Sequence, residues 1–161
     1  MPTIAVTGHM DLTEATERLV RAEMRRLLAR HDVTELVGVS CLAAGADTLF
    51  AEAVLEAGGR LVLVIPARDY RARKVAPEHA AAFDRLVAAA GEVVTMPWER
   101  AGCEAYTAAG KELLRRADRL FAVWSGSPPT GKGGTADVVV EARAAGIPVD
   151  VVWPAGAARR G

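Results

Sequence analysis

The sequence predicts an α/β fold: a Rossmann-like three-layer arrangement with a mostly parallel sheet of about six strands flanked by helices. Three observations carry this expectation. Short β-branched runs alternate with longer Ala/Leu/Arg/Glu segments along the whole chain, an order that calls for parallel strands joined by crossover helices. The strand candidates are nearly continuously apolar, as strands covered on both faces are. The 161 residues, 51% hydrophobic and 25% charged, suffice for one domain with its own core and carry too little polar bias for disorder.

Taken in order, the strands fall at residues 3–7, 35–40, 60–66, 92–96, 119–124 and 148–153, and the helices at 13–31, 46–57, 77–90, 104–117 and 134–145. Gly58 and Gly146 suit helix C-terminal stops, and Pro77 suits a first helical turn. Residues 67–76, where Arg68, Arg71, Arg73 and Lys74 surround Asp69, read as a mobile loop over the sheet edge, either a solvated charge run or a lid that grips a phosphate. Residues 1–154 form a single domain in this reading, with 155–161 as a flexible C-terminal tail.

Twenty Lys plus Arg balance twenty Asp plus Glu, so no net field favours coating by a polyanion, and nucleic acid is disfavoured as a partner. Two cysteines, Cys41 and Cys103, are too few for a disulfide framework and lack metal-site spacing with His9, His31 and His79. A reducing cytoplasm is the expected home. The N-terminal residues show neither a basic nor an apolar targeting region, and the longest apolar run, near 61–67, falls far short of the ~18 residues of a membrane span.

In an open parallel sheet, ligands bind beyond the carboxyl ends of the strands where strand order reverses. The unusual motifs all fall at such ends. Thr7-Gly8-His9 closes strand one; Ser40 closes strand two, followed by Gly45-Ala46-Asp47; Ser125-Gly126 follows strand five. Gly131-Lys132-Gly133-Gly134-Thr135 then opens the last helix, where glycines admit an anion close to the backbone and the helix amides point at it. This reads as a phosphate cradle without Walker A spacing; the plain alternative is a surface turn capped by Thr135. Gly8 permits close approach, Thr7 offers a hydroxyl, and His9 either contacts a ligand oxygen, acts in proton transfer, or serves as a structural hydrogen-bonding residue. Asp47 either stabilises the first turn of its helix or, with Ser40, binds ribose hydroxyls or a divalent cation. No cofactor is otherwise specified. Asp137 and Glu141 lie four apart on one helix face, and Trp98, in a connection, is the candidate for stacking.

Together Thr7-Gly8-His9, Gly45-Ala46-Asp47, Ala122-Val123-Trp124 and the stretch from Gly131 to Asp137 resemble the small bacterial, especially actinobacterial, members of the SLOG superfamily. That superfamily groups the lonely-guy phosphoribohydrolases, once misnamed lysine decarboxylases, with the DprA/Smf DNA-processing proteins. The resemblance spans nearly the whole chain. It implies a Rossmann-like sheet binding a nucleotide or nucleotide-derived ligand through the glycine-rich segment and the strand-one turn, and pairing into a homodimer. The lonely-guy pattern Pro-Gly-Gly-x-Gly-Thr-x-x-Glu would place its glutamate at Val138; Asp137 is one residue early, about 100° around the helix.

The leading expectation is therefore a sensor or binding module for a nucleotide-type small molecule. One alternative is a phosphoribohydrolase that cleaves the N-glycosidic bond of a nucleoside 5′-monophosphate, with Asp137 or Glu141 stabilising an oxocarbenium-like sugar or activating water. Handling of single-stranded DNA is the other; 5% aromatic content and the absence of an evident basic groove speak against it.

Overall fold

The computed structural model describes residues 2–129 and 134–160. The elements run β1 (Thr3–Gly8), α1 (Glu14–Leu28), β2 (Val37–Ser40), α2 (Ala46–Glu56), β3 (Arg60–Ile65), α3 (Tyr70–Lys74), α4 (Pro77–Ala89), β4 (Glu92–Thr95), α5 (Cys103–Arg116), β5 (Arg119–Val123), α6 (Thr135–Ala144) and β6 (Val149–Val151). The six strands form one all-parallel sheet in the order β4-β3-β2-β1-β5-β6. This is the predicted α/β Rossmann-like fold. Strand order steps outward from β1 to β4, then jumps back to the other side of β1, so the reversal lies between β1 and β5.

Alternation along β1 decides the layers. Ile4 and Val6 point to one face, where they pack with Val20, Met24, Leu49, Phe50 and Val54 of α1 and α2; Phe50 meets Phe121 edge to face. Ala5 points to the other face, with Val39, Val62, Leu120 and the apolar positions of α5 and α6. Both sides of the central strands are thus buried, which accounts for their unbroken apolar sequence. A third cluster joins Leu61, Leu63 and Ile65 of β3 to Tyr70, Phe83 and Leu86.

Two expectations change. The basic stretch 67–76 is not an open loop: residues 70–74 form α3, because Tyr70 buries its ring against Phe83 and Tyr106 while Arg71 pairs with Asp84. Asp69 anchors the start by accepting the Ala101 N–H at 2.7 Å. Nor is the segment after Pro154 loose. Arg159 bridges Leu12 in antiparallel fashion, the Arg160 N–H donates to the Asp11 carbonyl, and the buried Thr16 hydroxyl exchanges hydrogen bonds with both backbone groups of Ala158. Arg159 completes the attachment through an ion pair with Asp11 at 2.9 Å. No described helix is long and apolar enough to cross a membrane.

Candidate ligand-binding site

A cavity of about 640 Å³ opens at the carboxyl end of the sheet. Thr7 and Gly8 of β1 with His9 just after it, Asp47 from α2, and Gly134, Thr135 and Asp137 at the start of α6 all line it. The topology brings them together because β1 borders the strand-order reversal and both helices begin at that end.

Gly8 and Gly45 have a tightly defined role here. A Cβ on Gly8 would lie 2.4 Å from Ala46 Cβ and 2.7 Å from Val123 Cβ. Gly45 adopts φ +80°, and a Cβ there would sit 2.7 Å from the His9 carbonyl. These glycines let the start of α2 press against the β1 turn, where the Ala46 N–H donates to the His9 carbonyl. Helix packing sets the residue type at both positions, while Gly8 also faces the cavity.

His9 ties the reversal together. Its Nε2 accepts the Ser125 N–H at 3.0 Å and lies 3.1 Å from the Ser125 hydroxyl, while its backbone N–H donates to Val123. Accepting a backbone N–H places the ring proton on Nδ1 in the neutral tautomer. The ring stands edge-on to Trp153. Burial, with the Arg159 guanidinium adding to it, holds the imidazole below its ordinary pKa; Asp11 opposes the shift.

Asp47 is a buried acid at the cavity wall, 8% exposed. Its Oδ2 accepts the Ala43 N–H at 3.2 Å, and burial pushes its pKa up to about 7. Cys41 and Tyr70 line the same cavity, and burial raises both of their pKa values, with Asp47 contributing. Ser40 behaves differently from the expectation that paired it with Asp47 on a ligand. Its fully buried hydroxyl donates to the Asp47 carbonyl and accepts the Leu42 N–H, stapling the turn between β2 and α2. Leu42 takes φ 61° in that turn.

At α6, the Asp137 carboxylate accepts the Gly134 N–H at 3.0 Å, so an acid already caps this helix. Val138, at the position of the lonely-guy glutamate, is buried in the core beneath α5 and α6. Glu141 is exposed and lines a second, smaller cavity of about 260 Å³, which shares Asp137, Val138, Tyr106 and Gly110 with the first. Ser125 and Gly126 are exposed and do not line the main cavity, nor do Ser40, Gly45 and Trp98. Gly131, Lys132 and Gly133 lie outside the described residues.

Tyr106, Ala109, Gly110 and Leu113 of α5, and Arg159 from the C-terminal segment, also line the cavity, although no motif singles them out in the sequence. The regular spacing of the α5 residues reads equally as core, and Arg159 arrives only through the long-range fold-back. Lys74 reaches the cavity from α3. Among the described residues, no group of three or more His, Cys, Asp or Glu side chains is arranged to hold a metal ion.

No known family's sequence profile matches this chain, and no curated protein does. Solved structures do. DNA processing protein A (DprA) from Streptococcus pneumoniae superposes with a TM-score of 0.69 at 20% identity over 94% of this chain and 50% of its own. The DprA of Helicobacter pylori, described for its single-stranded DNA binding mode, gives 0.67 at 15% identity over 93% and 64%. The Moco carrier protein of Chlamydomonas rheinhardtii gives 0.55 at 19% identity over 93% and 74%. The chain thus spans about half the length of the first of these proteins. Two of the three are DNA-processing proteins, so the charge balance that disfavours nucleic acid as a partner finds no support among the structural neighbours. In fold, this chain is Rossmann-like, as these solved structures are.

Proposed function

We propose that the chain binds a nucleotide or nucleotide-derived ligand in the cavity between the β1 turn and the starts of α2 and α6, and acts as a binding module. The observation that carries this reading is the convergence of Thr7, the buried Asp47 and the first turn of α6 on one cavity large enough for such a ligand. A carrier protein among the structural neighbours supports a role in holding a small molecule. Hydrolysis of an N-glycosidic bond is the weaker reading, since Val138 supplies no carboxylate and Asp137 is engaged with the Gly134 N–H.

The DprA likeness favours single-stranded DNA as a second reading. The test is a thermal-shift screen against nucleoside mono-, di- and triphosphates and a short oligodeoxynucleotide, followed by chromatography for free base. A bound ligand raises the melting temperature by mass action. A shift with the nucleotide recovered intact is the expected result; free base would establish the hydrolase, and a shift with the oligonucleotide alone would overturn the small-molecule reading.

A further inference from the structure

Asp47 is a buried acid that fills one of the roughly four acceptor sites of its carboxylate. Among the described residues its carboxyl makes one hydrogen bond, from the Ala43 N–H to Oδ2, and no ion pair. It is nevertheless more than nine-tenths buried, and it forms part of the cavity wall. An acid taken out of water without a counter-charge is costly, and a ligand that brings hydrogen-bond donors to the open acceptor sites of its two oxygens offsets that cost.

The surroundings narrow the donor. Ala109, Gly110 and Leu113 of α5, with Ala136 and Val138 of α6, give the same cavity an apolar wall of mostly small side chains. Such a wall suits the face of a flat ring. A sugar, hydroxylated on all sides, matches it poorly. A planar heterocycle packed there can direct in-plane N–H groups at a carboxyl, whose two oxygens lie in one plane and accept an adjacent donor pair.

We infer that Asp47 is the specificity-determining group of this cavity, selecting a ring whose edge carries an N–H beside an exocyclic amino group, the edge presented by guanine nucleotides and by pterins. The inference rests on the binding function proposed above. Burial, which keeps the carboxyl partly protonated near neutrality, makes its ionised form available to pair with such donors as pH rises.

The experiment is calorimetry at pH 8 with GMP, IMP and XMP, which share the ring and differ only at the 2-position, and with pterin-6-carboxylate, on the full chain and on Asp47→Asn. Asparagine keeps an acceptor for the Ala43 N–H, and a thermal melt confirms that the variant folds. GMP is expected to bind about tenfold or more tightly than IMP, as a paired hydrogen bond to a base edge discriminates, with XMP weakest, and Asp47→Asn to erase the preference. Pterin-6-carboxylate binding more tightly than GMP, and losing affinity in Asp47→Asn, would keep the role of Asp47 and make a pterin the source. Equal affinity for GMP, IMP and XMP, or a preference that persists in Asp47→Asn, would overturn the inference and leave the binding function standing. Binding of pyrimidine nucleotides alone would do the same. Failure of every nucleotide and of the pterin to bind would remove the proposed function itself, and the inference with it.

Discussion

His9 Nε2 accepts the Ser125 backbone N–H at 3.0 Å, joining the ends of β1 and β5, the two strands that border the reversal of strand order. This bond needs an unprotonated Nε2, and burial together with Arg159 favours the neutral ring. Below its ordinary pKa of about 6.5 the unfolded chain takes up a proton that the native imidazole resists. His9 therefore lowers stability as pH falls from about 6.5 to its depressed native pKa, and the loss is complete below that value. His9→Gln, whose amide oxygen can replace Nε2 as acceptor, is expected to remove this contribution; denaturation midpoints measured at pH 5 and pH 7.5 would show a smaller difference between the two pH values in the variant than in the parent.

Asp47 contributes the opposite slope. Its native pKa of about 7 exceeds the ordinary aspartate value of 3.8, so between these values the native state holds the extra proton and stability falls as pH rises. Asp47→Asn is expected to be more stable than the parent at pH 8, with the advantage shrinking towards pH 5. Urea titrations at both pH values check the sign. A parent chain that gains stability relative to Asp47→Asn on going to pH 8 would contradict the burial of an uncompensated acid.

The glycine motifs separate packing from conformation. Gly8→Ala puts a Cβ into Ala46 and Val123, both backed by the core, and is expected to cost about 1–3 kcal/mol through overpacking. Gly102→Ala, where none of the described residues lies within 4 Å of the new Cβ and the backbone is extended, is expected to stay within about 0.5 kcal/mol of the parent. Equal stability of the two variants in chemical denaturation would show that α2 does not press on the β1 turn as described.

The contrast between these two glycines also shows what sequence can and cannot reveal. Period, apolar runs and capping residues make the six strands, their parallel order class and the position of Gly45-Ala46-Asp47 legible, because each depends on neighbours a few residues away. Gly8 is readable as a residue that permits close approach, but what approaches it is Ala46, 38 positions later, as well as any ligand. Ser40 has the composition of a site residue and spends its hydroxyl on Leu42 and Asp47. α3 looks like a charged loop because the burial of Tyr70 depends on Phe83 and Tyr106, and Arg159 reaches the cavity through bonds to residues nearly the whole chain away. Tertiary partners decide these cases, and no local pattern encodes them.

Gly110 lies inside α5 and lines both cavities. Among the described residues, a Cβ there would meet only Val138 Cγ2, at an ordinary 3.5 Å. Gly110→Ala is therefore expected to stabilise the helix by about 0.5–1 kcal/mol, whereas Gly110→Leu, with a larger side chain at the cavity wall, is expected to weaken nucleotide binding severalfold. Denaturation and calorimetry on the same pair of variants check both halves. Unchanged affinity in Gly110→Leu would place the ligand away from the wall formed by α5.

The attachment of the C-terminal segment depends on Thr16. Its buried hydroxyl accepts the Ala158 N–H at 2.8 Å, donates to the Ala158 carbonyl and receives the Thr13 hydroxyl at 2.7 Å. Thr16→Val removes both hydrogen bonds to Ala158, and each such bond contributes about 0.5–1.5 kcal/mol. The outlay falls mostly on the local equilibrium between the docked and released segment, since the α1 core is untouched by the change. Arg159, which lines the cavity and pairs with Asp11, leaves with the segment. Trypsin is therefore expected to cleave after Arg159 or Arg160 faster in Thr16→Val than in the parent, with the rest of the domain intact by mass spectrometry. Equal cleavage rates would mean that the ion pair and the Leu12 bridge hold the segment without Thr16.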